Sequence, residues 1–139
     1  MNRLVVIVCG ALLLLVGIAV SARAHHAFAA EFDSNKPVKF EKASVARVEW
    51  VNPHTWIHID VKKPDGTTEP WEIEAGTPNT LFRLGFTRES LKVGTVINVD
   101  GYAARDGSNR ANGRDLTLPD GKKLFMGGPN INNEKGSGQ

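Results

Sequence analysis

Stretches in which every second residue is apolar constrain the fold of this chain more than any other feature. The clearest runs from His54 to Lys63, where every second residue from Thr55 to Val61 is β-branched. Because successive side chains of a β-strand point to opposite faces, this pattern predicts a strand with one face in a core. Similar patterns predict strands at 38–51, 70–75 and 95–102, and a last strand or hairpin near 116–126.

Turn-forming residues separate these stretches, and one helical signal lies among them. Pro64-Asp65-Gly66 has the residues of a tight turn, so we expect the second and third strands to pair antiparallel. Thr77 is a typical N-cap, Pro78 suits the first helical position, and Gly85 suits the left-handed residue beyond a helix end. A short helix is therefore predicted between the third and fourth strands, covering one end of the sheet core. Its apolar residues are Leu81, Phe82 and Leu84.

This order of elements predicts a mainly β fold, a small five-stranded OB-fold-like barrel with one short helix between strands 3 and 4. An SH3-like barrel is the alternative, and the position of the helix favours the OB fold. In the first strand, the period of two predicts that Val45 and Arg47 share one face while the other face has Ala46, Val48 and Trp50.

The first 24 residues have the pattern of a secretory signal peptide. Arg3 precedes an apolar stretch at 4–20, and Ser21-Ala22-Arg23-Ala24 is a small-residue cleavage site. The apolar stretch lies at the lower limit for spanning a bilayer, and a processing site follows it directly. We therefore expect cleavage after Ala24, a periplasmic or secreted location, and no membrane span after processing.

The expected domain organisation has four parts. They are a signal peptide (1–24), an N-terminal segment (25–36), an OB-like β-barrel (37–126) and a disordered tail (127–139). Phe28 and Phe32 predict that the N-terminal segment docks on the barrel, because exposed phenylalanines on a free tail are unfavourable.

Processing also changes the charge and the cysteine content. The full sequence has a formal net charge of +2, and loss of Arg3 and Arg23 lowers Lys plus Arg from 17 to 15, equal to the 15 Asp plus Glu. A net charge of zero removes the electrostatic basis for a nucleic-acid partner or for adhesion to anionic membranes. Cys9 lies within the predicted signal peptide, so the mature chain would have no disulfide.

The four histidines form two pairs, which suggests a metal site. After cleavage the α-amine and ring nitrogen of His25 could chelate one ion, and an imidazole from His54 or His26 would complete a three-nitrogen set that suits Cu(II). His58 lies four residues after His54, about 13 Å along a strand, so one ion cannot readily bridge both. Trp56 lies between them and is a candidate ligand-binding residue. A structural role for these histidines is the simpler interpretation.

Three arginines provide an alternative function. Arg105, Arg110 and Arg114 lie in a Gly- and Asn-rich segment that we expect to be a loop between the last two strands. Their guanidinium groups could bind an anionic envelope component or a protein partner. The simpler interpretation is a solvated loop in which Asp106 and Asp115 pair with these arginines.

Motifs of hydrolytic enzymes are missing from the sequence. It contains neither G-x-S-x-G nor H-E-x-x-H, so no catalytic residue is assigned. Glu72 and Glu74 share one strand face, and solvated strand charge explains them better than a catalytic pair does. The residues favour a binding domain over an enzyme.

Three stretches resemble a known family. HHAFAAEFD (25–33), VEWVNPHTWIHIDV (48–61) and LKVGTVINVDGYAARDGSNRANGRDLTLPDGKKLF (91–125) are similar to the bacterial exported-protein family catalogued as domain of unknown function 6152. The resemblance covers nearly the whole mature chain and implies a small exported protein with no assigned activity. His25, His26 and His54 fall in its motifs, whereas the family often has tyrosine at the position of His58.

Overall fold

The computed structural model describes residues 28–127, and the chain divides into two compact units, Met1–Glu31 and Phe32–Gln139. Of the first unit, residues 28–31 are described and are helical. The described part of the second unit is mainly β, as predicted. Its elements are β1 (Phe32–Glu49), β2 (Trp56–Lys62), β3 (Thr68–Glu74), α1 (Pro78–Arg83), a 3-10 turn (Glu89–Leu91), β4 (Val96–Ala104), β5 (Arg110–Thr117) and β6 (Lys123–Phe125).

The six strands form one sheet in the order β3-β2-β1-β4-β5-β6. Neighbours in this order pair antiparallel, and an additional parallel pairing of β3 with β5 closes the first five strands into a ring. The long strand β1 belongs to both halves of the ring, because it pairs with β2 near its end and with β4 along most of its length. The helix between β3 and β4 is confirmed, while the OB-fold assignment remains a prediction.

The core fills the inside of this ring. The predicted alternation in β2 is confirmed, since Thr55, Ile57 and Ile59 are at most 1% exposed while the residues between them are not buried. The core also contains alternate residues of β4, and Leu81 of α1 is fully buried against it. The apolar faces of the strands and of the helix therefore meet in one cluster.

The first strand differs from the prediction in its first residue and in the faces on which its side chains lie. It begins at Phe32, which is 2% exposed and pairs with Ala104, and not at Val38. A register shift between Val45 and Arg47 makes Ala46 the extra residue of a β-bulge. The prediction that Val45 and Arg47 share a face is wrong, because this bulge leaves Val45 in the core and Arg47 exposed opposite His58.

The boundaries of α1 follow the predicted signals. The backbone N–H of Thr80 donates to Thr77 Oγ1 at 3.2 Å, Pro78 is the first helical residue, and Gly85 has a φ of 99°. Within residues 28–127, no helix combines the length and the hydrophobicity needed to cross a bilayer.

Replacing Thr77 with alanine should lower the free energy of unfolding by about 1 kcal/mol, because the N–H of Thr80 loses its acceptor. Thr77→Ser keeps a hydroxyl at the same position and should cost less than half as much. Urea denaturation of both variants measures the difference. Equal losses in the two would show that the cap hydrogen bond does not hold the helix start.

Candidate functional site

Most of the candidate residues lie on the outer face of β1, β2, β3 and β5. Cross-strand pairing places four side chains in one row across these strands, since Arg47 lies opposite His58, His58 opposite Glu72, and Glu72 opposite Arg110. Side chains directly opposite each other on one face are close enough to interact. The row therefore places the one carboxylate, that of Glu72, between His58 and Arg110.

His58 is held within this row by its neighbours. Its Nε2 lies 3.0 Å from Glu49 Oε1 and 3.1 Å from a guanidinium nitrogen of Arg47, so it donates to the first or accepts from the second according to its tautomer. Its Nδ1 lies 3.8 Å from Glu72 Oε1, and the side chain is 17% exposed. Both ring nitrogens thus face polar groups of the protein, and His58 is poorly placed to bind a metal.

His54 has a different environment. It precedes β2, which begins at Trp56 and not at His54 as predicted, and it follows a cis Asn52-Pro53 bond. Its Nδ1 lies 3.3 Å from Glu74 Oε1, and its side chain is 48% exposed. Its Nε2 makes no hydrogen bond to the described residues. A carboxylate this close to Nδ1 can orient the ring and leave Nε2 available as a donor atom to a metal.

Glu74 is the functional residue that the sequence did not reveal. It is 8% exposed, although the neighbouring carboxylate on the same face, Glu72, has a side chain that is 50% exposed. The parallel pairing of β3 with β5 places Asn112 opposite Glu74, and Asn112 Nδ2 donates to Glu74 Oε1 at 3.5 Å. A carboxylate buried in this way can orient the imidazole of His54.

Trp56 lies on the same outer face and contacts an arginine. The guanidinium carbon of Arg110 lies 4.9 Å from the Trp56 ring centroid, within cation–π distance. The Nε of Arg110 also lies 3.8 Å from Glu72 Oε2. The Arg110 side chain is therefore placed between an aromatic ring and a carboxylate.

The predicted Arg105–Arg114 loop is shorter than expected. Arg110 and Arg114 belong to β5, so the connection from β4 covers only 105–109. The prediction of a loop as far as Arg114 is wrong because 110–112 pair with β3 and 111–117 pair with β4.

Each of the three arginines lies near a carboxylate. Arg105 is 3.9 Å from Asp33, Arg110 is near Glu72, and Arg114 Nε donates to Asp115 at 2.8 Å. Hydrogen bonds from Arg114 to the Asp115 carboxylate and to Tyr102 raise the pKa of the guanidinium above its usual value. The three guanidinium groups have different partners, and the structure does not gather them around one point.

The 105–109 connection is tied to the sheet. Asp106 accepts hydrogen bonds from the hydroxyl and the N–H of Ser108, and these bonds lower the pKa of the Asp106 carboxyl. Asn109 Nδ2 donates to the Pro70 carbonyl at 3.2 Å, and the N–H of Glu72 donates to the Asn109 carbonyl at 3.0 Å. The connection therefore lies against β3.

A groove of about 380 Å³ runs between this connection and the outer face of β2 and β3. Its lining combines polar residues with small and large apolar ones. The lining residues are Ala46, His58, Ile59, Asp60, Pro70, Trp71, Glu72, Ser108, Asn109 and Arg110.

The predicted ligands His25 and His26 lie outside the described residues. Among residues 28–127, no group of three or more His, Cys, Asp or Glu side chains could hold a metal ion.

The fold and the outer face define a small, mainly β domain with a ring of strands and a polar groove. The chain belongs to the Family of unknown function (DUF6152), whose sequence model matches residues 12–113. No curated protein and no solved structure matches the chain.

Proposed function

We propose that this protein is an exported copper-binding domain whose site forms when the signal peptide is removed. The α-amine and ring nitrogen of His25 chelate Cu(II), and Nε2 of His54 completes the set. The observation that carries this proposal is the 3.3 Å separation between Nδ1 of the half-exposed His54 and the buried carboxylate of Glu74. Histidines that bind metals commonly have their second nitrogen on a carboxylate in this way.

The two described histidines differ in how they suit a ligand role. Both ring nitrogens of His58 face polar groups of the protein, whereas only Nδ1 of His54 does so within residues 28–127. Binding a metal at His58 would require its contacts with Glu49 or Glu72 to break. The proposal therefore uses His54.

The proposed ligand set predicts a pH dependence. An α-amine has an ordinary pKa of about 7.7–8.0 and must lose its proton to bind a metal. Protonation of the amine competes with copper, so the affinity should fall as the pH is lowered below this range. Nitrogen donors in a tetragonal arrangement select Cu(II) over the other common divalent ions.

The test uses protein that begins at His25, titrated with Cu(II) against a competing chelator, with Trp fluorescence as the readout. We expect submicromolar affinity. Acetylation of the His25 α-amine should weaken it by about 100-fold and His54→Ala by at least about 10-fold, because each removes a nitrogen donor. His58→Ala is the matched control and should bind as the unchanged protein does.

Submicromolar binding that survives both acetylation of the α-amine and His54→Ala would exclude this site, and so would the lack of submicromolar binding by the unchanged protein. The alternative function, recognition of an anionic component through Arg105, Arg110 and Arg114, has less support because each of these side chains already lies near a carboxylate.

A further inference from the structure

We propose that the groove between β2, β3 and the 105–109 connection binds an uncharged oligosaccharide. His54, the proposed copper ligand that the structure describes, does not line this groove. Its volume of about 380 Å³ lies within the usual range of small-molecule sites. The groove is partly open to solvent, so sugar rings beyond those it holds can remain outside it.

The shape of the groove depends on two small apolar residues. Ala46 is exposed because it is the extra residue of the β1 bulge, and Pro70 is an exposed residue of β3. Neither side chain reaches far from the sheet, which leaves room above the strands. The C–H face of a sugar ring can pack against such surfaces while its hydroxyl groups remain at the edges.

One edge of the groove is held in place before any ligand binds. Asn109 is joined to β3 by its side-chain bond to the Pro70 carbonyl and by its own carbonyl, which accepts from the N–H of Glu72. Binding therefore does not require this edge to become ordered, which reduces the entropic cost of association.

The polar groups of the groove suit hydroxyl groups. The carboxylate of Asp60 makes no hydrogen bond or ion pair to the described residues, and the Glu72 carboxylate is half-exposed with its charged neighbours no closer than 3.8 Å. Ser108 and Asn109 add groups that can donate and accept. A sugar hydroxyl is both a donor and an acceptor, so it can bond to carboxylates and to amides alike.

The charges of the groove select against acidic ligands. Asp60 and Glu72 are both carboxylates, while the one guanidinium in the lining, that of Arg110, lies over the Trp56 ring and near Glu72. A phosphate or a uronic acid would meet two like charges and an arginine that is already beside a carboxylate. An uncharged sugar chain avoids this repulsion.

The test is an amide NMR titration of metal-free protein beginning at His25. The probes are four uncharged hexasaccharides, cellohexaose, maltohexaose, xylohexaose and the hexamer of N-acetylglucosamine, with a polygalacturonate oligomer as the acidic probe. We expect at least one uncharged probe to shift the resonances of the groove residues with a Kd between about 10 μM and 1 mM. Asp60→Asn should weaken this binding by at least about 10-fold.

Asp100→Asn provides the matched control, because Asp100 is a partly buried aspartate in the middle of β4, outside the groove. It should leave the affinity unchanged. The proposal is overturned if no uncharged probe shifts the groove resonances at about 10 mM, if only the acidic probe does so, or if Asp60→Asn binds as tightly as Asp100→Asn.

Discussion

Replacing Gly101 with alanine will lower the free energy of unfolding by about 3 kcal/mol. Gly101 lies in β4 directly opposite Gly113 of β5, next to a register shift between the two strands. A Cβ on Gly101 would collide with the backbone carbonyl oxygen of Asn112 and come within 3.3 Å of Gly113 Cα. Because these atoms belong to the backbone of the neighbouring strand, no side-chain rotation relieves the collision, and β4 and β5 must move apart.

Urea denaturation measures this loss, and Gly66→Ala is the control. Gly66 has a φ of +86°, and no atom lies within 4 Å of the position that a Cβ would take. Alanine there should lower the free energy of unfolding by about 1 kcal/mol, because its side chain disfavours the left-handed backbone conformation. A loss at Gly101 no larger than the loss at Gly66 would contradict the close approach of β4 and β5.

The elements that depend on neighbouring residues were predictable from the sequence. The Pro64-Asp65-Gly66 turn connects an antiparallel pair, and Thr77 caps the helix through the N–H of Thr80. Both signals act within a few residues, so the sequence contains all the information they need.

The β1 bulge was not predictable in the same way. Its register shift arises between strands that are distant in sequence, and the strict period of two wrongly placed Arg47 with Val45. A strict period of two assumes that each residue of a strand lies opposite one residue of the neighbouring strand. The extra residue of a β-bulge makes this assumption false. The exposed Ala46 and the position of Arg47 opposite His58 follow from this shift.

The candidate site shows the same limit. Sequence reasoning selected His54 and predicted Glu72 and Glu74 to be solvated together, but only Glu72 is exposed. Glu74 lies between Trp56 of β2 and Asn112 of β5 in the sheet, and its carboxylate lies 3.3 Å from His54. The strands β3 and β5, whose pairing closes the ring, are far apart along the chain. No local sequence pattern therefore indicates which side chains this pairing places next to each other.

On the proposed copper site, replacing Glu74 with glutamine should weaken Cu(II) binding by about 10- to 100-fold. The negative carboxylate orients the His54 ring through Nδ1 and increases the basicity of Nε2. The neutral amide of glutamine has a weaker effect on both the orientation and the basicity. Glutamine has nearly the same volume and can still bond to Asn112, so the domain should unfold at nearly the same urea concentration. The affinity is measured by chelator competition on protein beginning at His25.

Two comparisons separate this positioning role from a general effect of charge. Glu72→Gln removes the same charge from the same strand face, yet His54 Nδ1 is joined to Glu74 and not to Glu72, so the affinity should remain unchanged. In a His54→Ala background, Glu74→Gln should have no further effect, because a residue that acts through His54 has nothing left to orient. An equal loss with Glu72→Gln, or an undiminished loss without His54, would show that Glu74 acts on copper through its charge alone.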